Sequence, residues 1–298
     1  MSIDSAPLPS SVPVKPLVGV VGLGLMGTAM TERLLAHGYR VVVWNRSRDK
    51  AEPLIALGAE WCDNPLKICH RVIISLYSSD VVAEVVEQLQ GGLHSGQILI
   101  DTTTGEPEHS RTMSQRLAAR GVSYLDAPIS GSSEQTRRGE ATVMVGGVRD
   151  DFDACADLWA ILGGRVFYVG ESGSAARMKL VTNLVLGLNR AVLAEGLAFA
   201  EAIGVSPASA LEVLKESPAY SRAMDVKGRK MLDGDFHVQA RLSQHLKDVR
   251  IMLAAAAESD LALPLSEVHC RLLEQAEAAG LGELDNSAII HVWRRRTA

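Results

Sequence analysis

A disulfide framework is the first thing this sequence lacks. Its four cysteines, Cys62, Cys69, Cys155 and Cys270, form no C-x-x-C pair and repeat no spacing, the pattern of reduced thiols in a cytoplasmic protein. Cys62 and Cys69 with His70 read as buried or half-buried groups rather than ligands, so no metal site is expected. No uncharged apolar run reaches the length of a membrane span. Residues 1–16, with Pro7, Pro9, Pro13 and Pro16, lack the basic start and apolar core of a signal peptide and read as a flexible tail. A net charge of −5 gives no global attraction to nucleic acid or to an anionic membrane, so neither partner is expected. There is no internal repeat.

What is present is enough apolar sequence, over 298 residues, for more than one core. From residue 17 to about 170 short apolar runs alternate with helical stretches. Runs at 72–76, 98–101, 122–126, 142–145 and 166–169 follow two earlier ones, and helices are expected over 80–90, from Pro107 to about 121, and over 150–162. Repeated βα units favour a parallel sheet covered on both faces. After Ser172 the texture changes to long Ala- and Leu-rich helical patterns at about 174–203, 207–216, 221–232, 242–259, 264–279 and 286–294. The first of these is about 40 Å long at the standard rise, enough to pass from one domain into the next. The expected division is a dinucleotide-binding, Rossmann-like doubly wound α/β domain over 17–173 and an all-helical domain over 174–298, joined by that long helix.

The run L-V-G-V-V leads directly into G-L-G-L-M-G. In that pattern Gly22 permits the tight turn, Gly24 lets the backbone approach a pyrophosphate, and Gly27 lets helix and strand pack, with Leu23, Leu25 and Met26 between them. A second β-branched run, 41–43, ends on Trp44 and Asn45. An NAD site usually places an acid there for the ribose hydroxyls. This chain instead reads Asn45, Arg46, Ser47 and Arg48, side chains suited to a 2′-phosphate, so NADP is the expected cofactor and NAD the weaker one.

Three further segments carry polar groups to strand ends or to the domain junction. D-A-P-I-S-G-S, from Asp126 to Ser132, leaves a strand for a polar turn able to hold a carboxylate. Lys179 and Asn183 stand four residues apart at the start of the long helix and share a face. An ammonium there can protonate a carbonyl oxygen while the amide holds the same substrate. His245, Lys247 and Asp248 lie in a helix that is otherwise apolar on one side. Lys247 can reach back to a cofactor and Asp248 can orient a lysine. His237 and His245 are alternative proton donors, although neither has an acid at a suggestive spacing.

Taken together, G-L-G-L-M-G, D-A-P-I-S-G, the G-x-x-x-x-x-K-x-x-x-N helix and the K-D of Lys247 and Asp248 resemble the β-hydroxyacid dehydrogenase family. That resemblance runs from Leu17 to Arg294. It implies a catalytic Lys179 supported by Asn183, and substrate contacts from Ser130, Gly131 and Ser132. It also implies cofactor contacts from Leu76, Thr104 and Lys247 beside the glycine turn and the 45–47 segment, and a homodimer or homotetramer formed through the helical domain. The expected reaction is NADPH-preferring interconversion of a small aldehyde or keto acid, carrying a carboxylate, with its hydroxy acid. The alternatives are an imine reductase, against which Lys179 argues, and a catalytically inactive NADP-binding scaffold. The chain departs from the family pattern at Arg33, at Ser132, and at Glu134 and Gln135 in a loop that relatives keep small. It departs again at Ala240, where relatives often carry an aromatic; Phe236 lies one turn earlier. A pocket larger than three- and four-carbon acids need is implied.

Overall fold

The computed structural model describes residues 16–294; the tail expected over 1–16 lies outside the described residues except for Pro16. In chain order the first half comprises β1 (Leu17–Val21), α1 (Leu25–Ala36), β2 (Arg40–Trp44), α2 (Glu52–Ala56), β3 (Glu60–Trp61), β4 (Arg71–Ile74), α3 (Ser79–Leu89), β5 (Ile98–Asp101), α4 (Pro107–Ala118), β6 (Ser123–Asp126), β7 (Ile129–Ser130), α5 (Ser133–Arg138), β8 (Thr142–Gly146), α6 (Arg149–Ala154), α7 (Ala156–Leu162) and β9 (Arg165–Gly170). Strands β3-β2-β1-β4-β5-β6 lie side by side and run parallel. The central ones are buried on both faces, which is why their sequences are continuous Val/Ile/Leu runs rather than alternating ones.

The parallel order stops at β6. β8 runs antiparallel to β6 and β7 and parallel to β9, so the expected parallel sheet carries an antiparallel edge. The segment between β6 and β8 holds only β7 and the six-residue α5, and that is too short a helix to carry the chain back along the sheet for another parallel strand. The helix expected over 150–162 is likewise two helices that meet at Cys155. Asp157, in the first turn of α7, is held by Arg71 and by the Tyr39 hydroxyl at 2.7 Å. Arg33, one of the departures from the family pattern, ties α1 to the end of α7 through the Ile161 carbonyl.

The helical half comprises α8 (Ser174–Ala202), α9 (Pro207–Lys215), α10 (Arg229–Asp233), α11 (Leu242–Ala257) and α12 (Pro264–Ala276). The helix expected over 221–232 is a five-residue π-helical segment, Met224–Gly228, running into α10, and the one expected at 286–294 is a 3-10 helix, Asn286–Val292. By length and composition α8 could cross a membrane. Here it forms the spine of a second core instead, with Leu180, Leu193, Ala194 and Leu197 packed among Leu246, Val249, Leu273, Ile289 and Ile290. A buried ion pair braces that core: Lys227 donates to both Asp285 oxygens at 2.8 and 2.9 Å.

One carboxylate fastens α8 to the sheet. Asp126, at the end of β6, accepts from the Gly173 and Ala176 N–H groups, each at 2.9 Å, and so caps the helix from outside its own sequence. Asp126→Ala orphans two buried donors. The expected loss is roughly 1–3 kcal/mol for each N–H left unpaired, read as a lower urea midpoint; an unchanged midpoint would mean that α8 needs no such cap.

Candidate active site

The C-terminal ends of the parallel strands open onto a cleft of about 420 Å³ whose far wall is α8 and α11. Its near end is the glycine turn, where the three glycines answer to three different constraints. Gly22 has φ +97°, and a Cβ there would stand 2.3 Å from the Ser75 carbonyl oxygen. A Cβ on Gly27 would lie 1.9 Å from the Gly22 oxygen, so that glycine sets how closely α1 can pack on β1. Gly24 is different: nothing lies within 4 Å of its missing Cβ, it faces the cleft, and no side chain caps the helix that begins beside it. An open glycine face at an uncapped helix N-terminus fits a dinucleotide pyrophosphate.

Leu25, Met26, Asn45, Arg46, Ser47 and Lys50 continue the wall. Asn45 serves the turn itself, accepting from the Leu23 N–H at 3.0 Å and donating to the Ser47 carbonyl at 2.9 Å. Its amide nitrogen keeps a second hydrogen, so Asn45 both braces the turn and lines the cleft where a 2′-phosphate contact is expected. Arg46 and Lys50 remain as the cations of this wall, while Arg48 lies over the Trp61 ring. Leu23 and Gly27 are buried behind the turn and shape it from within.

Leu76 and Thr104 follow β4 and β5 and line the cleft. Asp101 holds the second of these loops by accepting from the Thr103 N–H at 2.9 Å and the Tyr124 hydroxyl at 2.6 Å. Lys247, expected at the cofactor, donates to the Tyr77 and Thr104 carbonyls at 2.9 and 2.7 Å. It thus clamps both loops to α11, and its place in the site is as a brace between domains.

The polar turn after β6 divides its work. Gly131 lines the cleft, and a Cβ on it would come 2.9 Å from that of Ala141. Ser130, half-buried, pairs with Thr142 in the sheet. Ser132 needs correction as a substrate contact. Its hydroxyl accepts from the Gln135 N–H and its own N–H donates to Gln135 Oε1, a capping box that starts α5. The same helix accounts for Glu134 and Gln135 in a loop expected to be small: Glu134 pairs with Arg137 and Arg138.

The floor is built by α8. Lys179, Asn183, Leu186 and Arg190 lie along one face of it and line the cleft. Lys179 is buried, and its Nζ donates to the Ile129 carbonyl at 2.7 Å. Burial pulls its pKa down to about 8; Asp248 opposes the fall and Lys247 adds to it. Below that value the buried charge weakens the fold, and the penalty is relieved as pH rises from about 8 toward 10.5, where the unfolded lysine also loses its proton. Asn183 donates to Asp248 Oδ2 at 3.0 Å. Asp248 is the hinge of the group, with Lys247 3.3 Å away on its other oxygen. His245 reaches the cleft, but burial drives its pKa well below the usual range and leaves it neutral. His237 is no part of the cleft lining.

Sequence reasoning missed Arg190, Gln239, Arg241, Gln244 and Asn286, all of which line the cleft. Arg190 was detectable as a charge seven residues beyond Asn183, on the same helical face. Gln239 and Arg241 lie in the irregular segment before α11, Gln244 in the first turn of α11 and Asn286 at the start of a 3-10 helix, places where periodicity gives little signal. Phe236 packs against His291, so the space beside Ala240 is not refilled by an aromatic.

Residues 17–170 match the family described as the NAD binding domain of 6-phosphogluconate dehydrogenase, and residues 173–293 match the one described as the NAD-binding part of NADP-dependent 3-hydroxyisobutyrate dehydrogenase. The chain belongs to the β-hydroxyacid dehydrogenase family. Among similar proteins are 2-(hydroxymethyl)glutarate dehydrogenase of Eubacterium barkeri, 31% identical over 94% of this chain and 95% of that one, and glyoxylate/succinic semialdehyde reductase 1 of Arabidopsis thaliana, 31% identical over 92% and 96%. A solved structure of Psf3 in complex with NADP+ and 2-OPP is 28% identical with a TM-score of 0.85, covering 92% of this chain and 99% of that one. At family level this is an NAD(P)-binding oxidoreductase of the hydroxyacid dehydrogenase and semialdehyde reductase kind.

The last two glycines of the turn should separate on substitution. Gly24→Ala leaves stability within about 1 kcal/mol because its Cβ meets nothing, yet weakens binding of the nicotinamide dinucleotide on the order of tenfold, a difference of about 1.4 kcal/mol. Gly27→Ala lowers the melting temperature through backbone collision, at a cost of about 1–3 kcal/mol. Dye-monitored melting and cofactor fluorescence titration report the two effects, and identical behaviour of both variants would contradict this division of roles.

Proposed function

We propose that this protein is an NADPH-preferring reductase of a small carbonyl acid, running in reverse as a β-hydroxyacid dehydrogenase, with Lys179 as the general acid and base. The observation that carries the reading is a buried amine, Lys179, on the cleft floor, bonded to the Ile129 carbonyl and flanked by the Asn183–Asp248 pair. The bound nicotinamide supplies or accepts the hydride. Everything else falls to side chains of this chain.

The Ile129 carbonyl fixes the direction of the Lys179 Nζ and leaves its other hydrogens free to face a substrate oxygen. In reduction the ammonium donates a proton to the carbonyl oxygen as it gains charge; in oxidation the neutral amine takes the hydroxyl proton. A pKa near 8 keeps both forms within reach of neutral pH. Asn183, oriented by Asp248, offers its amide oxygen to the substrate hydroxyl. The turn of Ser130 and Gly131, of which Gly131 lines the cleft, is where this reading seats the substrate carboxylate. Arg46 and Lys50 supply the positive wall for a 2′-phosphate, as in NADP.

The substrates named for the relatives, glyoxylate, succinic semialdehyde and 2-(hydroxymethyl)glutarate, are all carboxylates or become so on ionisation, which agrees with this reading. We also propose a homo-oligomer, because Val181, Val185, Val192 and Phe199 leave an apolar row of α8 exposed.

Lys179→Ala should lower kcat for reduction by on the order of 10²-fold or more, with NADPH affinity and melting temperature retained. Turnover close to wild type would remove Lys179 from the chemistry. Arg46→Ala should raise the KM for NADPH by roughly 10-fold or more, the loss of one charge-assisted contact, and leave the KM for NADH nearly unchanged; equal effects on both cofactors would rule out a 2′-phosphate contact.

A further inference from the structure

The cleft contains a cation that the reaction above does not use. Arg190 lies 11 residues along α8 from Lys179, on the same face, and is only 3% exposed. Its Nε and Nη2 donors have no hydrogen-bond partner among the described residues. The two nearby carboxylates that attract it are engaged elsewhere. Asp285 accepts from Lys227, Gln239, Ala240 and Ser287, and Asp248 from Asn183 beside Lys247.

A guanidinium removed from water with adjacent donors unpaired is costly for a fold to keep. The cost is recovered when a planar anion arrives: Nε and Nη2 are closed off from solvent, and a turn of this cleft-lining side chain brings that edge, with two parallel N–H groups at the spacing of a carboxylate, to the guest. The surroundings suit such a guest. His245 and Asn286 also line this end of the cleft, and the Asn286 amide nitrogen can donate to an anion there. The small side chain of Ala240 leaves room between them and the reaction floor. Two helical turns, about 10 Å, separate Asn183 from Arg190.

We infer that Arg190 is a substrate-binding residue for a second carboxylate, so that the preferred substrate is a carbonyl dicarboxylate with one acid group at the Ser130–Gly131 turn and the other at Arg190. The inference rests on the substrate orientation given under Proposed function, and it adds a charge requirement to that reading. A monocarboxylate fills only half of the polar site and leaves the guanidinium unpaired.

The test is calorimetric titration of the NADP+-loaded protein with the four- to six-carbon α,ω-dicarboxylates and with the monocarboxylates of equal chain length, in wild type, Arg190→Met and Arg190→Lys. At least one dicarboxylate should bind wild type tenfold or more tighter than its monocarboxylate. R190M should abolish that preference while changing monocarboxylate binding less than about threefold, and R190K, which keeps the charge without the fork, should retain part of it. Absence of a preference in wild type overturns the proposal, and so does a preference that survives in R190M. Equal loss of mono- and dicarboxylate binding in R190M would place the single substrate carboxylate at Arg190 and also overturn it. A parallel titration with 3-phosphonopropionate separates the possible anions, since tighter binding than glutarate would replace the carboxylate by a phosphonate. Turnover of 2-(hydroxymethyl)glutarate against 2-(hydroxymethyl)pentanoate keeps the two readings apart. Dicarboxylate binding without hydride transfer from any carbonyl acid contradicts the proposed reaction and leaves Arg190 assigned; turnover that ignores the second acid, in wild type and R190M alike, removes the Arg190 assignment alone.

Discussion

The site depends on keeping one amine out of water at a fixed point. Lys179 projects from the second turn of α8, and α8 is held against the sheet by Asp126 at its N-terminus. The same segment that begins with Asp126 supplies the Ile129 carbonyl on which the Lys179 Nζ rests. A single strand end therefore sets both the helix that carries the amine and the acceptor that aims it. Displacing either would let water reach the ammonium and return its pKa toward that of a free lysine.

Around that point charged side chains couple the two halves of the chain. Asp248 opposes the fall in the Lys179 pKa and orients Asn183, while its neighbour Lys247 reaches across to the Tyr77 and Thr104 carbonyls. Adjacent residues of α11 thus face different tasks, one tuning the buried amine and the other holding the loops after β4 and β5. Each rests on contacts made by α8 and by the loops after β4 and β5, so the geometry of the cleft follows from the seating of α8 and α11 on the sheet.

The glycine turn, the polar elbow after β6 and the Lys179/Asn183 spacing were legible in the sequence because backbone geometry and helical periodicity dictate them locally. What remained hidden was chosen by distant partners. Ser132 looks like a substrate contact until Gln135 is seen to complete a cap. Asn45 gives no sign in the sequence that its oxygen holds the Leu23 N–H of the glycine turn. The reversal of β8 depends on how little helix lies between β6 and β8, and short strands such as β3 and β7 carry too few residues for an alternation to show. Arg190 was legible in principle as a charge on a buried stripe, but its lack of partners is a property of the folded cleft alone.

The most direct measurement is the pH dependence of kcat/KM in both directions with one carbonyl acid and its hydroxy acid, on wild type and on Asp248→Asn. Reduction needs the ammonium and should decline as pH rises through about 8, whereas oxidation needs the amine and should climb through the same value. Removing the Asp248 charge should move both limbs to lower pH, because that charge holds the lysine proton on. Profiles that are flat across this range, or limbs that stay in place when Asp248 is neutralised, would contradict Lys179 as the group that moves the proton.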